Sequence, residues 1–508
     1  MIELLLDGFV NVLVPGNFIY LLGGLILGVV MGAIPGLTAT MAIALIIPLT
    51  FTISPTQSLI MLLGAYNGGI FGGSISAILL ATPGTPSAAA TVADGFKLAQ
   101  KGQAGKAIKT ALISSVFGGL FSSIVLILVA EPIARYALKF GPGEFTIIML
   151  FSLTIIASAS GKSMIKGLIG GCLGLLFGFV GMDPVYSIPR FTFGNVNLSS
   201  GINLVVMLIG SLAVAEILIQ IESVARGRTN AHLPPPMTKD DDRLTFKEFK
   251  TLLKTLVRSS ALGCAIGALP GLGPTLASYV GYDMAKRNSK NPQKFGEGAI
   301  EGVAAAEAAN NAVCGANLIP LLSLGVPGDT VAAMLIGAFL IQGLTPGPLI
   351  FREAPELVYN IYSGLIISNI LLFAFVMLTY KFFTNIGKLE TTVIFPVVCM
   401  FCIVGVYAFN QSLFDVWIML FFAVLGYILM KFNFPPATMM IGFILAPLFE
   451  TNFRLALLIS NNSYAIFFKS PITWFFWGAT LLSIVTIARG KIKDVLAERA
   501  IDKELNNI

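Results

Sequence analysis

Of 508 residues, 56% are hydrophobic, 11% are charged and 52 are glycine, and the mean hydropathy is +0.86. Soluble domains carry about 25% charged residues, so this composition excludes a water-soluble enzyme built around one core. The net charge of +6 does not signal nucleic acid, because no cluster of Lys and Arg is interleaved with aromatics on a polar face.

The charges are grouped and leave windows of about 20 residues with almost none, the length that crosses the hydrocarbon core of a lipid bilayer. The chain therefore reads as an all-α polytopic membrane protein. Met1-Ile-Glu-Leu-Leu-Leu-Asp7 lacks a basic n-region, so the first apolar segment is expected to stay in the mature protein. Apolar segments are expected at 18–34, 38–53, 58–81, 107–130, 145–160, 164–181 and 202–221. A polar stretch from Glu222 to about Lys250 follows, with Arg226, Arg228, Pro234 to Pro236 and Asp240 to Asp242, and reads as a solvated linker. Apolar segments resume at 252–269, 274–285, 300–326, 329–343, 357–380, 392–409, 413–431, 435–449 and 471–488, before a charged amphipathic tail from Arg489 to Ile508. The expected organisation is a first membrane repeat over 1–222, a cytoplasmic linker over 223–250, a second repeat over 251–461, and an extra transmembrane helix with a cytoplasmic tail over 462–508. About 10 to 14 membrane-embedded elements fit this pattern.

The repeat is carried by two kinds of break. Gly28-Val-Val-Met-Gly-Ala-Ile-Pro-Gly-Leu-Thr-Ala-Thr40 recurs as Gly263-Cys-Ala-Ile-Gly-Ala-Leu-Pro-Gly-Leu-Gly-Pro-Thr275. Further on, Asn67 to Pro86 aligns with Asn311 to Thr330, placing Pro83-Gly84 on Pro327-Gly328. A break within a membrane frees backbone N–H and C=O groups that lipid cannot satisfy, so it faces protein, ligand or a water-filled cavity. Paired breaks at matching positions of two halves point to a transporter's binding site.

Positive charge orients the halves. The first break of the first half has flanks poor in Lys and Arg (Glu3, Asp7; Thr52 to Ser58), whereas its counterpart is flanked by Lys250, Lys254, Arg258, Lys286, Arg287, Lys290 and Lys294. After the second break the pattern inverts: Lys97, Lys101, Lys106 and Lys109 follow one copy, Arg352, Glu353 and Glu356 the other. Basic short loops stay in the cytoplasm, so the pattern predicts inverted-topology repeats. It fits a hairpin of two short helices with Pro-Gly at its tip; a straight helix kinked by proline is the alternative.

Candidate substrate groups lie at the breaks. Pro35, Gly36, Thr38 and Thr40, and in the other half Gly271, Gly273, Thr275 and Ser278, combine orphan N–H donors, hydroxyls and the positive end of a helix dipole, an anion site without a fixed cation. Thr82, Gly84 and Thr85 belong to the second break, and Ser74 and Ser76 precede it. Gly328, Asp329 and Thr330 form its counterpart. An intramembrane carboxylate marks an ion or proton path, although Asp329 also suits an N-cap of the following helix. Asn67, Asn310, Asn311 and Asn317 join Gly328, Asp329 and Thr330 as candidate coupling-ion residues for Na⁺ or H⁺; interhelical hydrogen bonding is the plainer reading of the asparagines. Of Glu297, Glu301 and Glu307, Glu307 near the asparagines is the better functional candidate, and Lys162 and Lys166 read as snorkelling loop residues.

Cys172, Cys264, Cys314, Cys399 and Cys402 all lie in apolar segments, and the single histidine, His232, lies in the linker. The chain thus offers no metal site and no nucleophile–base pair, and is not read as an enzyme. It carries no phosphate-binding G-x-x-x-x-G-K-[ST] loop for nucleotide drive.

Gly-x-x-x-Gly-Ala-Ile-Pro-Gly-Leu-Thr (28–38), Asn-Gly-Gly-Ile-Phe-Gly-Gly-Ser-Ile-Ser (67–76), Thr-Pro-Gly-Thr-Pro (82–86) and Gly-x-x-Pro-Gly-Leu-Gly-Pro (267–274) resemble the large membrane subunit of the tripartite tricarboxylate transporters, the TctA family. The resemblance covers nearly the whole chain. It implies a multi-pass permease of the bacterial inner membrane, driven by an ion gradient and partnered by a small membrane subunit and a periplasmic substrate-binding protein, with citrate and other carboxylates among the family's substrates. The expected function is import of an organic carboxylate coupled to Na⁺ or H⁺; a passive anion channel is the alternative.

Overall fold

The structure is a computed structural model that describes residues 2–159, 164–183, 186–226, 244–383 and 391–485. The residues Lys162, His232 and Pro234 to Pro236, and the tail from Arg489, lie outside this range. In chain order the helices are α1 (Ile2–Leu13), α2 (Pro15–Ala33), α3 (Ala39–Ile46), α4 (Pro55–Leu80), α5 (Ala89–Gln100), α6 (Ala104–Ala137), α7 (Pro142–Ala159), α8 (Met164–Gly178), α9 (Leu204–Leu208) and α10 (Ala215–Ala225). They continue with α11 (Phe246–Gly267), α12 (Gly273–Asn288), α13 (Ile300–Ala316), α14 (Leu318–Leu324), α15 (Thr330–Ile341), α16 (Ile350–Glu353), α17 (Pro355–Thr379), α18 (Thr391–Asn410), α19 (Leu413–Lys431) and α20 (Pro436–Ile459). Among the described residues, 7 helical spans are long and apolar enough to cross a membrane. The protein is an all-α polytopic membrane protein.

Two compact units form: Met1–Leu138 with Asn203–Ile428, and Lys139–Ile202 with Leu429–Ile508. In the smaller unit, α8 packs on α20 through glycine, Gly442 lying against the Gly171 carbonyl. A short antiparallel pair, β1 (Gly181–Met182) with β2 (Pro189–Arg190), follows α8. Arg190 clamps Glu450 at 2.6 and 2.9 Å, and Arg454 reaches Asp183 at 2.9 Å.

The larger unit carries the breaks of both halves, and glycine decides how they pack. On α2, Gly24, Gly28 and Gly32 face the backbone of α4 at Met61, Ala65 and Gly69, where an added Cβ would fall on the carbonyl oxygens. The contacts climb together in number, so α2 runs parallel to α4. Beyond the break the chain comes back. Ala39 meets Gly69, and Ser58 near the start of α4 donates to the carbonyl of Thr50 at 3.2 Å. The α2–α3 segment is therefore a hairpin, not a kinked helix. Its turn demands Gly36, whose φ of 85° lies in the left-handed region.

The second half repeats the construction. Gly263 faces Ala309 and Gly267 faces Val313, so α11 is parallel to α13; Gly281 of α12 returns to Ala305, and Ser289 donates to Glu301 at 2.7 Å. Gly271 at its tip also has φ 85°. The aligned positions Gly28 and Gly263 meet the aligned positions Ala65 and Ala309, so the sequence register is kept in the packing.

Each half also lends a long helix to the other. Asn360 donates to Thr56 at 3.2 Å and Asn67 to Ser368 at 2.5 Å, so α17 runs parallel to α4. Ser115 meets Glu307 and Ser122 meets Gly315, so α6 runs parallel to α13. Since Gly119 abuts Asn369 while the Tyr359 hydroxyl reaches Glu131 at 3.1 Å, α6 and α17 are antiparallel. Hence α4 and α13, the equivalent helices of the two halves, run in opposite senses.

Small residues at these contacts let the backbones approach, which is how membrane helices associate without a hydrophobic drive. Gly28→Leu should lower stability by at least about 1–3 kcal/mol through overpacking. Gly23→Leu, five residues earlier on the same helix with nothing within 4 Å of an added Cβ, should leave it within about 0.5 kcal/mol. Thermal unfolding of the detergent-solubilised protein, followed by size-exclusion chromatography, measures both.

Candidate functional site

At the first tip, Thr38 caps α3, its Oγ1 accepting from the backbone N–H of Met41 at 3.3 Å, and its hydroxyl pairs with that of Thr40 at 2.6 Å. Pro35, Gly36, Thr38 and Thr40 are half-buried rather than enclosed. Tip and second break of this half meet directly. Gly84 lies against the Gly32 carbonyl, and its N–H donates to Gly73 O at 3.3 Å. Gly73 in turn leaves room for Thr85, whose Oγ1 pairs with Ser87 Oγ at 2.9 Å.

The second half has the same joint. Gly328 approaches the Gly267 carbonyl, and the Gly271 N–H donates to Gly328 O at 2.5 Å. Asp329 caps α15, accepting from the Ala332 N–H at 2.7 Å through Oδ1. Its other oxygen accepts from the hydroxyl of Tyr66 at 2.9 Å, and that hydroxyl accepts from Asn317 Nδ2 at 3.1 Å. Asn317 Oδ1 is buried without a hydrogen-bond partner. Gly273, which opens α12, faces Asp329, and Thr275 stands half-buried in the first turn of that helix. Asp329 is thus both an N-cap and a buried carboxylate at a helix-breaking joint.

The asparagines do not form one group. Asn67 on α4 bonds Ser368 on α17. Asn317 belongs to the Asp329 nest. Asn310 and Asn311 gather around Glu307, which is fully buried and accepts from the hydroxyls of Thr91 and Ser115 (3.1 Å) and from Asn310 and Asn311 at 3.5 and 3.4 Å. Asn310 also reaches the Ser87 carbonyl at 3.2 Å. Ser74 faces Glu307 without reaching hydrogen-bond geometry.

The other expected residues are more dispersed. Ser76 bonds Gly73 O at 3.2 Å, Thr82 is exposed and bonds Leu80 O at 3.3 Å, and Thr330 is half-buried. Ser278 is buried with its hydroxyl unpaired. Glu301 is held by Thr255 and Ser289 at 2.8 and 2.7 Å, and Lys166 bonds the Phe432 carbonyl. No group of three or more His, Cys, Asp or Glu suited to a metal occurs among the described residues.

Three residues of the site escape the sequence reading: Tyr66, Thr91 and Gln220. Tyr66 immediately precedes Asn67, and a tyrosine inside a glycine-rich membrane segment is the signal that would have marked it. Gln220 on α10 lies over Gly36 at the first tip and donates to Glu216 at 2.9 Å; nothing in its local sequence distinguishes it.

A polytopic protein whose two Pro-Gly-tipped hairpins run in opposite senses, the second beside the buried carboxylate of Asp329, has the architecture of a membrane transporter. The family model described as the tripartite tricarboxylate transporter TctA family matches residues 18–441, and the chain belongs to that family. Two Agrobacterium vitis proteins are similar. The "Uncharacterized 52.8 kDa protein in TAR-I ttuC' 3'region" is 38% identical over 479 residues, 94% of this chain and 93% of that protein. The "Uncharacterized protein in TAR-II ttuC' 3'region" is 38% identical over 223 residues, 44% of this chain and 92% of that protein. No solved structure matches the chain.

The Tyr66 hydroxyl, from the first half, bridges Asp329 and Asn317 of the second. Tyr66→Phe leaves two buried polar groups short of a partner, and should cost about 1–3 kcal/mol. The midpoint of thermal unfolding in detergent, wild type against variant, reads the loss.

Proposed function

We propose that this chain is the permease subunit of a secondary transporter that imports an organic carboxylate, tricarboxylate-like in class, across the bacterial inner membrane in symport with Na⁺ or H⁺. It receives substrate from a periplasmic binding protein and works beside a small membrane subunit, as its family membership supports. The observation that carries the reading is the pair of Pro-Gly-tipped hairpins, each joined at its tip to the second break of its own half. They offer N–H donors and hydroxyls to an anion next to a buried carboxylate that suits a cation.

The two halves are read as inverted-topology repeats. The opposite senses of α4 and α13 and the matched glycine contacts support this, as does the exchange of basic flanks between equivalent loops. Lys97 to Lys109 and Lys286 to Lys294 then face the cytoplasm, and Thr52 to Ser58 and Arg352 to Glu356 the periplasm. Substrate carboxylates bind at Thr38 and Thr40 from one side and at Gly271, Gly273 and Thr275 from the other, with Ser278 a turn deeper. Asp329, with Asn317 and Gly328, holds the coupling cation.

Two measurements test this in proteoliposomes supplied with the small subunit, the binding protein and labelled carboxylates, with and without Na⁺. Asp329→Asn should abolish ion-coupled uptake in a folded, inserted protein, because Asn caps a helix about as well as Asp but cannot balance a cation. Wild-type uptake with unchanged ion dependence would leave Asp329 only its cap. Thr40→Val and Thr275→Val should each weaken apparent substrate affinity roughly 10- to 150-fold, the loss of one hydrogen bond to a charged ligand. Unchanged affinity in both variants would make the breaks purely structural.

A further inference from the structure

We propose that Glu307 is a second cation site, distinct from the Asp329 nest, which binds one monovalent cation, Na⁺ or H⁺, per transport cycle. The proposal rests on the reading of the chain as a cation-coupled permease and adds a stoichiometry of two.

Glu307 stands in the middle of α13 with no exposed surface, and its partners among the described residues are neutral: Thr91, Ser115, Asn310 and Asn311. Hydroxyls and amides orient dipoles toward a carboxylate but leave its charge unbalanced. A buried charge in the membrane interior is costly until a counter-charge joins it.

A second observation points to a ligand. Ser74 Oγ is fully buried, faces the same carboxylate and has no hydrogen-bond partner. With the hydroxyls of Thr91 and Ser115, it brings three neutral hydroxyl oxygens to one carboxylate. One carboxylate in such a setting balances one single positive charge, which favours Na⁺ or a proton over a divalent ion.

The repeat supplies a third argument. The alignment that places Asn67 on Asn311 also places Gly73 on Asn317, Thr85 on Asp329 and Tyr66 on Asn310. In the structure one of these pairs plays a matching part: Tyr66 reaches across to the second-half loop at Asp329 as Asn310 reaches across to the first-half loop at Ser87. The two nests are therefore counterparts, each at its own Pro-Gly joint. The first-half nest has Thr85 where the second has its acid, and it takes its carboxylate instead from Glu307, one turn before Asn310. Each nest holds one carboxylate.

The test is equilibrium binding to the purified full-length protein, with ²²Na⁺ counted per chain at fixed pH and, separately, proton release on a pH step in Na⁺-free choline buffer. Wild type should bind two cations per chain, summed over both measurements. Glu307→Gln should lose one, Asp329→Asn should lose the other, and the double variant both. The measurement in which the count falls tells Na⁺ from H⁺. Ser74→Ala and Thr91→Val keep the acid and its fold, and should weaken cation affinity at this site about tenfold without changing the count. If Glu307→Gln, eluting as a monodisperse peak, keeps both counts at the wild-type value, the second site is overturned. If instead only Asp329→Asn keeps them, the fault lies with the coupling role given to Asp329, and Glu307 stands.

Discussion

A backbone N–H or C=O without a partner is not tolerated against lipid, and this chain breaks its helices four times inside its apolar segments. Each break is therefore brought against protein. Gly84 N–H returns to Gly73 O, and Gly271 N–H crosses to Gly328 O; Thr38 caps α3 with its own side chain. The close approaches this requires explain the glycines. An added Cβ at Gly28, Gly32, Gly263 or Gly84 would strike main-chain atoms of a neighbouring segment. The breaks, the glycine contacts and the buried polar nests are consequences of one constraint.

The same constraint puts acids where hydrocarbon surroundings would forbid them. Asp329 is permitted because a helix start supplies an N–H and Tyr66 a hydroxyl. Glu307 is permitted because two hydroxyls and two amides converge on it from α5, α6 and α13. Both arrangements draw on both halves of the chain.

A further cross-half contact shows how far the exchange extends. Asp94 on α5 accepts three backbone N–H groups, from Gly296, Gly298 and Ala299, each at 2.8 Å, and the Tyr282 hydroxyl at 2.9 Å, fastening the exit of the second hairpin. At the exit of the first hairpin Gln342 bonds Thr50 O and Ser58 Oγ at 2.6 and 2.9 Å. The hairpins are thus each held at the base by the opposite half and at the tip by their own.

Local features were legible in the sequence. Composition gave the membrane class, the doubled Pro-Gly motifs gave the position of the breaks, and the alternation of basic flanks pointed to hairpins, because these depend only on residues near one another in the chain or on a copy of themselves. Asp329 beside its break was legible for the same reason. What the sequence could not assign was partnership. Four asparagines read as one cation group lie in three places, Thr91 and Gln220 gave no local sign of their roles, and the setting of Tyr66 among glycines marked the residue without naming its partner. Their partners stand from 184 to 263 positions away along the chain, and one sequence carries no measure of that distance in space. The packing of glycine faces, together with polar contacts between helices, decided which helices meet, and with that which polar groups share a nest.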